Sequence, residues 1–295
     1  MDMTTVISGP GQPVIGEQLA NLLKAEHIAV TAKFFPDGER DLIFSKEHCE
    51  EETIIVQSLA RPQDSNLISL LQITYTAFEF GARDITLVTP YLAYSAKDRR
   101  ILPGEVVSIF NVFKMIEATP AKRLMVVDIH NPEVLKGRET FYQNITAMRA
   151  FGEYFKKLPL NNPLVLAPDF GAKKRAAIIG EILQTETDYF EKKRDPKTGE
   201  TTLYSHEIAV KGRDVIIADE VIRTGGTIAK AVALLQEQEV GRVFVASTHM
   251  MLVGEADKRI LAAGAEALVG TDSLPSAYSI IPLAPIIYEH LKKDD

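Results

Sequence analysis

Residues 215–228, VIIADEVIRTGGTI, contain an apolar run, two adjacent carboxylates and a glycine-rich turn in immediate succession. Val215–Ala218 are uniformly apolar, which is typical of a strand buried on both faces of a parallel sheet. Asp219 and Glu220 follow this run. We therefore expect both carboxylates at the carboxyl edge of the sheet, where α/β proteins bind their ligands.

The turn after the carboxylates carries only small side chains: Thr224, Gly225, Gly226 and Thr227. Its backbone N–H groups and two hydroxyls can converge on a phosphate at the start of a helix predicted from Ile228 to Leu235. The carboxylates can accept hydrogen bonds from sugar hydroxyls. A turn without function remains the alternative, because glycine also supplies positive φ and threonine also caps helices. The pattern matches neither a nucleoside-triphosphate P-loop nor a dinucleotide fingerprint, so it predicts a sugar-phosphate site.

Composition limits the classes of function. The chain has 295 residues, 46% of them hydrophobic, and a formal net charge of −7. This negative charge argues against a nucleic-acid partner, because nucleic-acid binding depends on clustered Lys and Arg that neutralise phosphates. No apolar run approaches the length of a membrane span, and we expect no membrane partner. Cys49 is the single cysteine, so no internal disulfide can form, which fits the cytoplasm.

Short apolar runs alternate with helical patterns along the chain, which predicts an α/β fold of mostly parallel sheets flanked by helices. Strands are expected near Val6, Val30, Ile54, Leu87, Val126, Val165, Ile216, Phe244, Leu268 and Ile281. Ten strands fit two domains better than one open sheet, and we place the domains at 1–145 and 146–295. A helix over 66–80 is apolar nearly all round and should be deeply buried. The charged stretch 191–200, EKKRDPKTGE, should be a mobile loop.

Four further segments carry groups suited to phosphate or metal chemistry. Residues 34–40, FFPDGER, contain an Asp-Gly turn and on their own indicate a hairpin. Residues 90–100, PYLAYSAKDRR, gather cations that either neutralise a polyphosphate or form a solvated basic loop. Residues 124–130, LMVVDIH, form a buried strand that ends near Asp128 and His130. If the strand continues, both side chains point to the same side of the sheet. The alternative is that His130 is only a hydrogen-bonded residue at the end of the strand. Residues 167–176, APDFGAKKRA, place three cations at the start of a predicted helix. Cations there interact unfavourably with the helix dipole, and a nearby anion would offset this cost.

Together these segments resemble a known family. Residues 215–228 resemble the phosphoribosyl-diphosphate motif of type I phosphoribosyltransferases and of ribose-phosphate pyrophosphokinases, and the four other segments favour the pyrophosphokinases. The resemblance runs from about Phe34 to Ile287. It departs from the family pattern at Ala96 and Lys97, which replace an Arg-Gln pair, at Glu220, which replaces an aspartate, at Arg223, and across 131–139.

The resemblance implies two similar phosphoribosyltransferase-like domains. The first, 1–145, would supply the ATP site and oligomer contacts, and the second, 146–295, the ribose 5-phosphate site and a flexible catalytic loop, 190–202. The implied reaction transfers the diphosphate of ATP to the 1-hydroxyl of ribose 5-phosphate, giving phosphoribosyl diphosphate and AMP, with Mg2+ as cofactor. A dimer-based homo-oligomer, a tetramer or a hexamer, is implied as well.

The resemblance also implies a role for each matched residue. Binding of ribose 5-phosphate falls to Asp219, Glu220, Arg223, Thr224, Gly225, Gly226 and Thr227. Nucleotide binding falls to Asp37, Gly38, Glu39, Lys97 and Arg99. The metal-associated residues are Asp128, His130 and Asp169, and the catalytic cations are Lys192 and Arg194.

Two alternatives stay open at this stage. A phosphoribosyltransferase would consume phosphoribosyl diphosphate, but two full domains and the Phe-Pro-Asp-Gly-Glu segment argue against it. A regulatory, catalytically weak homologue is suggested by the substitutions Ala96, Lys97, Glu220 and Arg223. The intact cations and metal-associated residues argue against that alternative.

Overall fold

The computed structural model describes residues 4–194, 201–204 and 209–292. The backbone divides into two compact units. The first comprises Met1–Ile145 and Leu283–Asp295, and the second comprises Thr146–Pro282. The sequence analysis placed all of 146–295 in the second domain, whereas residues 283–292 group with the first unit.

The first unit is built on a seven-stranded sheet. Its elements are β1 (Thr4–Ser8), α1 (Pro13–Leu23), β2 (Glu26–Phe34), β3 (Arg40–Phe44), β4 (Glu52–Val56), α2 (Gln63–Glu79), β5 (Asp84–Thr89), α3 (Ser108–Glu117), β6 (Arg123–Val127), β7 (Tyr142–Ile145) and, at the end of the chain, α8 (Ala284–Leu291). The strand order is β3-β2-β1-β4-β5-β6-β7, and only the β2–β3 pair is antiparallel.

The second unit is built on a six-stranded parallel sheet and a separate two-stranded hairpin. Its elements are α4 (Met148–Phe155), β8 (Leu164–Ala167), α5 (Lys173–Leu183), β9 (Thr187–Tyr189), β10 (Glu191–Arg194), β11 (Thr201–Tyr204), β12 (Val215–Ile222), α6 (Gly226–Glu237), β13 (Val243–Met250), α7 (Ala256–Ala262), β14 (Ala267–Thr271) and β15 (Ser279–Ile281). The order is β15-β14-β13-β12-β8-β9, and β10 pairs with β11.

The predicted α/β architecture with two parallel-sheet domains is confirmed. Each of the ten predicted strands is present, and the five strands that the sequence missed are β3, β7, β9, β10 and β11. β3, β7 and β9 lie at sheet edges and β10–β11 form the separate hairpin. Edge strands need less apolar surface than central ones, which is why hydrophobic runs did not reveal them.

Helix α8 joins the first unit because it packs against α1. Its apolar side chains Ala284, Ile287 and Leu291 are buried. An apolar helix face must be covered in the folded protein, but helical periodicity carries no information on which helix covers it.

Helix α2 is less buried than predicted. Ile68 remains 50% exposed and Tyr75 48% exposed, while Leu70 and Ile73 are fully buried. The expectation of burial all round was therefore wrong. One side of α2 packs into the unit and the opposite side presents apolar side chains outward.

Candidate active site

Strand β12 carries the two carboxylates past the end of its neighbour. It pairs with β8 only from Val215 to Ile217, whereas its pairing with β13 continues to Ile222. The strand is longer than the predicted run and includes Asp219 and Glu220. Among the residues that the structure describes, no strand pairs with β12 on the β8 side beyond Ile217. The two carboxylates therefore lie past the last residue of β12 that pairs with β8, at the carboxyl end of the parallel strands.

Glu220 forms an ion pair with Arg175 of α5. The Arg175 Nη1 lies 3.0 Å from the Glu220 Oε2, and the two side chains are 13% and 7% exposed. The cations at the start of α5 had predicted an anion at that place, and Glu220 supplies one. Because the pair is nearly buried, each charge depends on the other for its stabilisation.

Asp219 differs from Glu220 in its electrostatics. Its Oδ1 accepts the backbone N–H of Glu220 at 2.8 Å. Burial, followed by the adjacent charge of Glu220, raises the pKa of Asp219 well above its usual value. The two carboxylates of the motif are therefore not equivalent, since Arg175 neutralises Glu220 while burial disfavours charge on Asp219.

The turn between β12 and α6 depends on glycine at position 225. Gly225 has φ +69°, a left-handed conformation that other residues rarely adopt. A Cβ atom there would lie 3.1 Å from the Cβ of Ala256 and 3.0 Å from the Cδ1 of Ile260. Helix α6 begins at Gly226, two residues before the predicted Ile228.

The N–H groups of this turn are available for a ligand. No acceptor within the described residues takes a hydrogen bond from the backbone N–H of Thr224, Gly225, Gly226 or Thr227. Unpaired N–H groups at a helix start favour anions, because they add to the positive end of the helix dipole. The turn can thus bind a phosphate at the same edge as the two carboxylates.

Asp169 lies in the segment between β8 and α5. Its Oδ1 accepts the N–H of Ala172 at 3.3 Å, so it caps the short 3-10 turn before α5. Its neighbour Phe170 is 70% exposed. Asp169 itself is partly buried.

The predicted catalytic cations lie in hairpin strand β10. Lys192 pairs in register with Leu203 of β11, and Arg194 pairs with Thr201. The first residues of the predicted loop, Glu191–Arg194, therefore form a strand instead. The rest of the predicted loop up to residue 200, and the side chains of Lys192 and Arg194, lie outside the described part of the chain.

In the first unit, Asp128 and His130 do not extend β6 as the prediction required. The strand ends at Val127, and Asp128 has φ +40°. Asp128 is 4% exposed, whereas His130 is exposed. The two side chains therefore do not share one face of a strand. Among residues 4–194, 201–204 and 209–292, no group of three or more His, Cys, Asp and Glu is arranged to hold a metal ion.

The basic segment after β5 is tied together by an acidic residue. The Lys97 Nζ lies 2.7 Å from the Glu105 Oε2. The same carboxylate accepts the N–H of Ile101 at 2.7 Å and of Leu102 at 3.0 Å. Hydrogen bonding to Lys97 and to these backbone groups lowers the pKa of Glu105 to about 2. Arg99 and Arg100 are exposed, whereas Lys97 is partly buried.

The Asp-Gly segment forms the tip of the β2–β3 hairpin, as the turn chemistry indicated. The Phe35 N–H donates to the Glu39 carbonyl at 2.8 Å, and Gly38 has φ +94°. The side chain of Asp37 accepts the Glu39 N–H at 3.1 Å. Residues 35–39 are all exposed, so the tip is accessible to a ligand.

Comparison with known proteins places these features in a family. The description "N-terminal domain of ribose phosphate pyrophosphokinase" matches residues 4–119, and "Phosphoribosyl transferase domain" matches residues 138–263. A ribose-phosphate pyrophosphokinase from Pyrococcus furiosus is 39% identical over 264 residues, covering 90% of this chain and 92% of that protein. The chain belongs to the ribose-phosphate pyrophosphokinase family. The predicted family and enzyme class are confirmed.

Other relatives of the ribose-phosphate pyrophosphokinase family give the same result. Proteins of this name from Saccharolobus solfataricus and Methanopyrus kandleri are 35% and 34% identical, each covering more than nine-tenths of both chains. The crystal structure of phosphoribosylpyrophosphate synthetase from Mycobacterium smegmatis matches with a TM-score of 0.87 at 24% identity. This match covers 99% of this chain and 98% of that chain, and shows the shared fold.

Three of the residues that depart from the pyrophosphokinase pattern have side-chain partners in this chain. Glu220 is paired with Arg175, and Lys97 is paired with Glu105. In the divergent segment after β6, the Asn131 Nδ2 donates to the Asp98 Oδ2 at 2.6 Å. The partner of Glu220 was not among the residues predicted for the site. The signal that could have revealed it is the cluster of cations at the start of α5.

Proposed function

We propose that this chain transfers the diphosphate of ATP to the 1-hydroxyl of ribose 5-phosphate, giving phosphoribosyl diphosphate and AMP. The observation that carries this proposal is the carboxyl end of β12, where two carboxylates precede a turn whose N–H groups have no acceptor among the described residues. The description "Phosphoribosyl transferase domain" matches residues 138–263, which contain this strand and turn. Similarity to named ribose-phosphate pyrophosphokinases over 90% of the chain or more favours the diphosphate transfer.

Ribose 5-phosphate is proposed to bind along the end of β12 and the turn. The 5-phosphate accepts hydrogen bonds from the N–H groups and hydroxyls of Thr224, Gly225, Gly226 and Thr227, and Arg223 adds a positive charge beside them. The ribose hydroxyls donate to the carboxylates. Of these, Asp219 is the more available, since Glu220 is held by Arg175.

ATP is proposed to bind through the exposed hairpin tip and the basic segment of the first unit. Asp37, Gly38 and Glu39 would contact the nucleotide, and Lys97 and Arg99 would neutralise the polyphosphate. Support comes from the exposure of residues 35–39 and of Arg99. Lys97 would have to exchange its contact with Glu105 for a phosphate oxygen, whereas Arg99 can bind directly.

Mg2+ is proposed as the cofactor, bound largely through the substrate phosphates. Asp128, with His130 nearby in the sequence, is the candidate ligand in the first unit, and Asp169 is the candidate ligand in the second. The donor set fits this metal, because Mg2+ in phosphate sites usually takes one or two carboxylates and completes its shell with phosphates and water. A group of three protein ligands, which the described residues lack, is therefore not required. When bound, Mg2+ neutralises charge on the polyphosphate.

The reaction is an in-line displacement at the β-phosphorus of ATP. The 1-oxygen of ribose forms a bond to that phosphorus as the bond to the AMP oxygen breaks, and the hydroxyl proton is released. Such transfers demand positioning and charge neutralisation more than covalent chemistry. Lys192 and Arg194, which lie in strand β10, are proposed as the cations that stabilise the transition state.

The chain is further proposed to act in the cytoplasm as a homo-oligomer. Ile68 and Tyr75 on α2 and Ile43 on β3 expose apolar side chains of a kind that oligomer contacts cover. The lone Cys49 is buried and free, as in proteins of a reducing compartment. Among the described helices, none has the length and apolar character needed to span a membrane.

One assay tests the proposed reaction against its alternatives. The pure protein is incubated with ATP, Mg2+ and ribose 5-phosphate, and the products are separated. AMP together with a diphosphorylated sugar supports the proposal. A phosphoribosyltransferase would instead consume phosphoribosyl diphosphate with a base, and a regulatory homologue would form no AMP.

A further inference from the structure

The segment that follows β13 forms backbone hydrogen bonds with the residues that lead from β12 into the turn. The Leu252 N–H donates to the Ile222 carbonyl at 3.1 Å, and the Val253 N–H donates to the Arg223 carbonyl at 2.8 Å. These bonds continue the direction of the β12–β13 pairing beyond the strands. The carbonyls of Ile222, at the end of β12, and of Arg223, just before the turn, therefore face residues 251–253.

The next carbonyl of the turn is held by a side chain. Arg259, on α7, donates from Nη1 to the carbonyl oxygen of Thr224. Its Nη2 donates to the carbonyl of Gly254 at 3.1 Å, so one guanidinium joins the turn to the loop before α7. Three consecutive carbonyls, from Ile222 to Thr224, thus all point toward residues 251–259.

This arrangement determines where the N–H groups of the turn point. In a trans peptide the C=O and N–H bonds point in opposite directions. Holding the carbonyls of Arg223 and Thr224 toward residues 251–259 therefore directs the N–H groups of Thr224 and Gly225 to the opposite, open side. A rotated 224–225 peptide would instead present a carbonyl oxygen to an incoming phosphate, which its negative charge would oppose.

Helix α7 is a firm support for this contact. Ala256 and Ile260, both fully buried, leave no space for a Cβ at Gly225. The Tyr278 hydroxyl donates to the Asp257 Oδ2 at 3.1 Å and ties α7 to the segment before β15. Helix α7, which carries Arg259, therefore contacts the turn through Ala256 and Ile260 and the segment before β15 through Asp257.

We propose that Arg259 is a positioning residue for the phosphate-binding turn: it acts through the Thr224 carbonyl and fixes the Gly225 N–H toward the 5-phosphate of ribose 5-phosphate. This inference rests on the proposed function. Because the Arg259 side chain is also exposed, its positive charge alone could attract an anion, and the test must separate these effects.

The test compares Arg259→Gln, Arg259→Lys and Lys258→Gln with the wild type. Lys258 is the matched control, since it is the adjacent cation on α7, its side chain is 73% exposed, and its partner is Glu255 rather than the turn. Calorimetric titration measures the Kd for ribose 5-phosphate and for inorganic phosphate without ATP. Steady-state kinetics give the KM for each substrate, and thermal unfolding reports stability.

Loss of the Arg259 contact should raise the Kd for ribose 5-phosphate and phosphate about tenfold, as expected for a hydrogen bond to a charged partner. Arg259→Lys, which keeps one donor, should show a smaller rise, and the KM for ATP should stay unchanged. Unchanged phosphate binding in Arg259→Gln overturns the proposal, as does an equal rise in Lys258→Gln or equal weakening of both substrates. If the wild-type protein binds ribose 5-phosphate but forms no AMP, the proposed reaction is wrong. The binding data for the variants still decide the role of Arg259 in that case.

Discussion

The Arg175 guanidinium lies 3.0 Å from the Glu220 carboxylate, and both side chains are nearly buried. This pair joins the start of α5 to the carboxylate doublet of β12. It explains why cations are tolerated at a helix start, where the dipole disfavours them. It also means that one of the two carboxylate charges of the doublet is already compensated within the protein.

Removal of Arg175 should destabilise the protein more than removal of a surface cation. Arg175→Met leaves the buried Glu220 charge unpaired, and the free energy of unfolding should fall by about 3–5 kcal/mol. Lys211→Met is the control, because the Lys211–Glu239 pair is 76% and 70% exposed and should contribute about 0–1 kcal/mol. Urea unfolding measures both. Equal effects in the two variants would show that the buried pair is not retained in solution.

Stability should depend on pH through Asp219. Its pKa is raised in the folded state by burial and by Glu220, so folding favours the protonated form. The native state is therefore penalised progressively as pH rises from about 3.9, the usual value, through the raised pKa. Asp219→Asn should increase stability at pH 7 and give no increase at low pH.

Asp257 provides a control of opposite sign for this pH dependence. Hydrogen bonds from the Lys258 backbone and from Tyr278 lower the pKa of Asp257, so its contribution is present above the usual pKa and lost as pH falls. Urea midpoints are measured for both variants and the wild type between about pH 3 and pH 8, which brackets typical carboxyl pKa values. As pH rises, the midpoint of Asp219→Asn should increase relative to that of the wild type, and the midpoint of Asp257→Asn should decrease relative to it. Parallel curves would contradict the assignment for Asp219.

Substitution of Gly225 should disrupt the turn between β12 and α6. Gly225→Ala combines a positive φ with a Cβ placed 3.0–3.1 Å from Ile260 and Ala256, and should cost about 1–3 kcal/mol of stability. Gly226→Ala is the stability control, since its Cβ would meet nothing within 4 Å. That change should be neutral or stabilising in a helix. Thermal unfolding compares the two, and a stable Gly225→Ala would contradict the observed turn geometry.

Lys192 should contribute to the rate far more than to substrate binding. If it stabilises the transition state, Lys192→Ala should lower kcat about a hundredfold, as loss of one oxyanion donor does, with little change in KM. Lys193→Ala, at the adjacent position, should have a much smaller effect. Unchanged turnover in Lys192→Ala would exclude the assignment of this segment to catalysis.

Several features could be predicted from local sequence. Uniform apolar runs indicated all of the central strands, including Val215–Ala218, because burial on both faces requires them. The Asp-Gly pair indicated the hairpin tip at 37–38, because that turn type needs positive φ. Asp128 and His130 failed as a same-face pair, because whether a strand continues past Val127 depends on its neighbours.

The α/β class and the central strands could be recognised from the amino-acid sequence alone, because hydrophobic periodicity reveals them. The position of the carboxylates and glycines directly after a buried strand could be recognised in the same way. Tertiary structure decided that Glu220 pairs with Arg175, that Arg259 holds the Thr224 carbonyl, and that α8 packs with the first unit. These three contacts join residues distant in the sequence. Their partners are selected by the packing of whole elements, which no local pattern encodes.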